Sequence, residues 1–147
     1  MSTVDVERLA RHITIRSSGP EDFSRLMALS PPSVKPPVHF LVYATLVAEV
    51  DGVIAGYTQS SLTPDGILYS LAIRIDAAYK GQGIGQKLME TKVALAIEAG
   101  AKMHFYALAH DGEEAIKRIC LRLGMHLCQR QGNNVDIYSQ ALGPGAR

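Results

Sequence analysis

The stretch from Ile67 to Gly100 limits the fold more than any other part of the chain. An apolar run, ILYSLAIRI, is entered through Pro64-Asp65-Gly66 and empties into YKGQGIGQKL, where Gly81, Gly83 and Gly85 stand at alternate positions. Glycine at that density costs conformational entropy, so the loop needs unusual dihedrals or close approach by another group. From Ile84 onward, apolar residues at 84, 88 and 95 and at 89, 93, 96 and 97 form a broad helical stripe, closed by Gly100. A second strand pattern runs from Met103 to Ala109. Strand, helix and strand in that order imply a parallel pair with a right-handed crossover.

The flanking sequence adds antiparallel elements. HITIRSSGPEDFSRLMALS reads as a strand, a Ser-Gly break and a helix whose first turn carries Pro20, Glu21 and Asp22. The proline cluster from Ser30 to Val38 reads as an extended loop, and His39 to Ala44 reads equally as a short helix or a strand extension. TLVAEVDGVIAGYTQSSL is a hairpin about Asp51-Gly52. Past Ala109, Asp111 and Glu114 form a capping-box pattern before EEAIKRICLRLG, whose apolar face is Ala115, Ile116, Ile119, Cys120 and Leu123. MHLCQ and VDIYSQAL close the chain as strands about Gly132-Asn133-Asn134. The fold class is therefore α/β: one domain over residues 1–147, with a mixed, mostly antiparallel sheet and flanking helices.

Composition excludes several alternatives. With 147 residues, 47% of them hydrophobic and 20% charged, and a net charge of +1, the chain can bury one ordinary core. Nothing in the charge pattern calls for nucleic acid or a membrane. No run approaches a membrane span and the first fifteen residues do not read as a signal. Cys120 and Cys128 have neither zinc-ligand nor disulfide-framework spacing, so a cytoplasmic setting and no metal are expected.

A strand that empties through glycines into a helix N-terminus makes an anion site, because first-turn amides are unpaired and the helix dipole is positive there. A Walker loop requires Gly-Lys-Ser/Thr, which the sequence lacks. A dinucleotide G-x-G-x-x-G fails because the third glycine position is Gln86 or Leu88. Lys80-Gly81-Gln82-Gly83-Ile84-Gly85 resembles the [Arg/Gln]-x-x-Gly-x-[Gly/Ala] motif of the GNAT family of N-acetyltransferases, and the order of elements resembles that family from the first strand to about Ala141.

The resemblance implies a GNAT-like fold with a central splayed parallel pair, and acetyl-coenzyme A as co-substrate. It places the pyrophosphate on the amides of Gln82 to Gln86, with Lys80 where the family prefers Arg or Gln. Pantetheine would pair with Ile73, Arg74 and Ile75, one of whose N–H groups would polarise the thioester carbonyl. Aligned on Gly124-Met125, the helix puts Glu113 at a position where relatives carry an Asn that touches pantetheine. The same alignment puts Cys120 where they carry a Tyr acid. A thiol with a reference pKa of ~8.5, against ~10 for Tyr, can protonate a thiolate. Leu108 stands where relatives often keep a Glu. His104 and Tyr106 share its strand face, and His110, at the strand's end, is the candidate base for the acceptor amine. Tyr57 and Tyr69 are read as sheet aromatics or acceptor-pocket residues, and Glu49 faces either solvent or that pocket.

The implied activity is transfer of acetyl to an amine of a small molecule or a protein by direct attack on the thioester. The alternative is a non-catalytic acyl-coenzyme A sensor on the same fold, favoured by the replaced Tyr and Glu. Cys128, Met125 and His126 are read as packing residues, and the apolar last strand permits a homodimer.

Overall fold

The computed structural model describes residues 12–31, 44–110, 113–132 and 134–143. The proline cluster beyond residue 31, the ambiguous segment up to residue 43, Asp111, Asn133 and the last four residues lie outside them. The strands are β1 (Ile13–Ser17), β2 (Ala44–Val50), β3 (Val53–Leu62), β4 (Ile67–Ile75), β5 (Met103–Ala109), β6 (His126–Gln131) and β7 (Val135–Ala141). The helices are α1 (Phe23–Leu29), α2 (Ile84–Glu98) and α3 (Glu114–Arg122), with short 3-10 turns at Pro20–Asp22 and Ala77–Tyr79.

One seven-stranded sheet has the order β1-β2-β3-β4-β5-β7-β6. The β2–β3 hairpin closes in two residues, Asp51 and Gly52, both at positive φ, which matches the twist of the paired strands. Among the described residues only β4 and β5 run parallel, from Ile67↔Met103 to Ser70↔Tyr106, after which both strands continue unpaired to each other. On its other side β4 pairs with β3 through a bulge: Gln59 faces Ala72 and Ser60 faces Ser70, leaving Leu71 as the extra residue.

Adjacent residues of a strand face opposite ways, and the two faces are covered differently. Val47 and Tyr57 pack with Leu26 of α1, whereas Ala48 packs with Ile84 and Leu88 of α2. Between the sheet and α2 and α3, Ile73, Tyr106, Leu108 and Tyr138 enclose Met89 and Cys120. Arg16 on β1 binds both the buried Asp22 and Glu49, so Glu49 is engaged by a guanidinium rather than left to solvent. Hydrogen bonding to Arg16 holds the Asp22 carboxyl below its ordinary range.

Three packing expectations change. Leu95 and Ile97 of α2 are exposed, and the buried stripe instead carries Lys92 between Met89 and Ala96. Met125 is buried, but His126 and Cys128 are exposed, because β6 is the sheet's edge and every residue of it faces water. The free edge at this end therefore belongs to β6, and β7 is interior.

Candidate functional site

Beyond the point where β4 stops pairing with β5, a cleft of about 560 Å³ lies between β4, the glycine loop and α3. Ile73, Arg74 and Ile75 of β4 form one wall, and α3 forms the other through Ala115, Ile116, Ile119 and the two arginines Arg118 and Arg122. The loop and first turn of α2 line it with Lys80, Gly81, Gly83, Ile84, Gly85 and Gln86, and Glu113 precedes α3. Every residue expected to hold the co-substrate thus lines the cleft except Gln82, which is exposed on the loop.

The glycines serve different ends. Gly83 caps α2 at φ 78 with nothing within 4 Å of a built Cβ, so backbone geometry requires it. Gly85 is helical, and a Cβ there would sit 2.8 Å from Ile119 Cδ1, so a larger residue would have to push the Ile119 side chain aside where α2 packs on α3. No side chain caps α2, which leaves its first-turn amides directed at the cleft mouth. Behind the loop, Asp76 accepts from Ala78 N–H at 2.9 Å and from Arg25 Nη2 at 2.5 Å, tying α1 to the turn that precedes the glycines. Those two bonds, the backbone one first, hold its carboxyl below the usual range.

Four cations, Arg74, Lys80, Arg118 and Arg122, face the cleft against the single carboxylate of Glu113. Arg74 Nε and Gln86 Oε1 are buried there without a hydrogen-bond partner, and such groups are normally satisfied. A cationic, open-backbone cleft with an unmet donor and acceptor fits a polyanionic ligand that also carries amides. The two α3 arginines were not singled out in the sequence. Their signal was present in the spacing of 115, 118, 119 and 122, which shares one helical face.

The expected proton-moving side chains lie elsewhere. Cys120 is enclosed in the core and is not among the cleft-lining residues; burial raises its thiol to about 11. His110, at the end of β5, binds Asp136 Oδ2 through Nδ1 at 3.0 Å. Asp136 also accepts from Arg130 Nε at 2.7 Å, and these bonds, Arg130 first, hold its carboxyl down to about 2. His104 is buried between Ser70 and Gln140. Because Gln140 Nε2 donates to the Leu123 carbonyl, its oxygen takes the Nδ1 hydrogen of His104, and His104 Nε2 accepts from Ser70. Burial lowers that imidazole to about 4, so it is a neutral sheet linker. Tyr57 is buried with its hydroxyl against Ser30, and Tyr69 is half-exposed, stacked on Phe105. Among the described residues no cluster of His, Cys, Asp or Glu is arranged to hold a metal, and no helix is long and apolar enough to cross a membrane.

Comparison with known proteins gives the same frame. The Acetyltransferase (GNAT) family pattern matches residues 10–125. No curated protein matches by sequence. Among solved structures, the Escherichia coli ribosomal-protein-S18-alanine N-acetyltransferase superposes with a TM-score of 0.77 at 15% identity, over 91% of this chain and 96% of that one. Ard1 from Thermoplasma volcanium gives 0.73 at 19% identity, over 88% and 97%. A Salmonella typhimurium protein described as an acetyltransferase, solved with its cofactor acetyl-CoA, gives 0.70 at 18% identity, over 89% and 93%. With its seven-stranded sheet, one parallel pair and glycine loop at the mouth of the splay, the chain belongs to the GNAT acetyltransferase family.

Proposed function

We propose that this chain, acting as one domain, transfers acetyl from acetyl-coenzyme A to an amine of a small molecule or a protein. The observation that supports this most is the cleft itself: it runs along β4 past the end of its pairing with β5 and ends on the glycine loop and first turn of α2. Bound there, the thioester supplies an activated acyl group. The loop amides and Lys80 hold phosphate oxygens, and Arg118 and Arg122 add charge from the opposite wall. Arg74 Nε and Gln86 Oε1 gain the partners they lack. The β4 backbone from Ile73 to Ile75 offers strand-type hydrogen bonds, and a donor among them polarises the carbonyl under attack.

In this reading His110, oriented by Asp136, takes the proton that the acceptor nitrogen loses. Cys120 enters only as a core residue behind the cleft, because a thiol held near 11 by burial would give its proton uphill to an ordinary thiolate. The reading places the protein in the cytoplasm and requires no metal, nucleic acid or membrane. A homodimer formed at this end of the sheet would use the β6 edge.

Calorimetric titration with coenzyme A and acetyl-coenzyme A, beside a Gly83→Glu variant that puts charge and bulk on the open side of the loop, tests the reading. Micromolar binding that the variant abolishes is the expected result, and no binding by folded wild-type protein would overturn it. A second reading, an acyl-coenzyme A sensor without turnover, draws on the enclosed Cys120 and Leu108 at the positions where relatives keep a Tyr and a Glu. Slow acetyl-coenzyme A hydrolysis, or transfer to any amine in a panel, separates the enzyme from the sensor.

A further inference from the structure

Lys92 lies in the middle of α2 with its side chain driven into the protein, 4% exposed. Its Nζ is 2.7 Å from Thr58 Oγ1, 3.5 Å from the Gln59 carbonyl oxygen and 5.9 Å from the centre of the Tyr106 ring. Among the described residues no carboxylate pairs with it. Cys120 of α3 and His104 and Tyr106 of β5 are the titratable groups around it. Thr58 spends its own hydrogen on the Ala72 carbonyl at 2.8 Å, so its oxygen is the acceptor toward the lysine. A protonated amine carries three donors. Thr58 takes one, the Gln59 carbonyl takes a long second, and the third has no acceptor among the described residues.

The position of this amine is defined by strand register. Thr58 faces Ile73 and Gln59 faces Ala72 across the β3–β4 ladder, while Tyr106 faces Ser70 in the last parallel pair before β4 and β5 separate. Nζ therefore lies close to the point of separation, bonded to the β3 residue that faces Ile73, the innermost β4 residue lining the cleft. An isolated charge in an apolar interior is costly, and an alkyl side chain would fill the same space without that cost.

We propose that Lys92 supplies the charge and the proton for the coenzyme A sulfur at the inner end of the cleft. This rests on the coenzyme A reading given above. As the acceptor nitrogen forms its bond to the acetyl carbon, the carbon–sulfur bond breaks and its electron pair stays on sulfur. An Nζ proton passes to that sulfur, giving the free thiol and a neutral amine. The new amide nitrogen gives its extra proton to His110, as in the reading above, which passes it to solvent; Nζ recovers one from solvent, so the cycle closes without an oxidant or a further reactant.

The test compares binding of coenzyme A with binding of desulfo-coenzyme A, which lacks only the sulfur, and needs no acceptor. Wild-type protein should prefer coenzyme A by at least about tenfold, the strength of one hydrogen bond to a charged group. Lys92→Met and Lys92→Gln should bind desulfo-coenzyme A as wild type does, which also shows that they are folded, and should lose the preference. Equal affinity of wild type for the two ligands overturns the inference without any variant, and so does a preference that survives in either variant. Failure of wild type to bind either ligand would instead overturn the coenzyme A reading itself, and the inference with it.

Discussion

Lys92→Met measures how strongly the interior opposes a charge in the middle of α2. Methionine keeps the length of the stem and removes the amine. Burial lowers the amine from 10.5 to about 7, a difference equivalent to about 5 kcal/mol at full effect. Between those values the unfolded chain holds the proton that the folded chain has shed, so wild-type stability rises with pH across that window. Below the folded value both states are protonated and the whole penalty is felt; above the unfolded value neither is and the penalty is gone. Removing the amine also removes its bond to Thr58, worth about 1 kcal/mol. The variant should therefore be more stable than wild type by about 4 kcal/mol near pH 7, and by roughly nothing near pH 9.5. Urea unfolding of both proteins at the two pH values, fitted with a common slope, measures the difference. A gain that does not change with pH, or a variant less stable than wild type at neutral pH, would refute the reasoning.

Other perturbations separate local roles. Gly85→Ala should stay within about 1 kcal/mol of wild type, since helix propensity offsets the contact with Ile119; by displacing Ile119 from the cleft wall it should weaken coenzyme A binding several-fold in calorimetry. Iodoacetamide should alkylate Cys128 in the folded protein and reach Cys120 only in denaturant, as read by peptide mass spectrometry; rapid labelling of Cys120 would count against its enclosure. Asp136→Asn should be less stable than wild type at mild acidity, and the gap should close as pH falls from the unfolded carboxyl's 3.8 toward about 2, because stability from a depressed carboxyl is lost on its protonation; unfolding curves across that range give the test.

Much of this arrangement could be read from short stretches of chain. Asp51-Gly52 needs two positive φ angles and specifies a hairpin by itself, and the glycine loop between a strand and a helix specifies the cleft mouth. Lys92 was hidden because a helical stripe is read from apolar residues, and a lysine within it is assigned to solvent until the sheet beneath is known. Leu95 and Ile97 misled for the complementary reason, being apolar where α2 faces water. Strand order decided the rest. MHLCQ looks like a packing strand, and only its place outside β7 leaves His126 and Cys128 exposed. Arg118 and Arg122 became cleft residues only once α3 was known to face the splay.

The extra residue at Leu71 divides β4 into two halves that run out of phase. Ahead of it Leu68 and Ser70 are buried, and beyond it Ile73 is, so the inward positions change from even to odd numbers across the bulge. If Leu71 took an ordinary place in the ladder instead of bulging, the strand would keep its length and composition, yet every side chain from Ala72 to Ile75 would change sides. The lining of the cleft is thus stored partly as a reading frame, in which a residue that touches nothing essential fixes the orientation of all those that follow it.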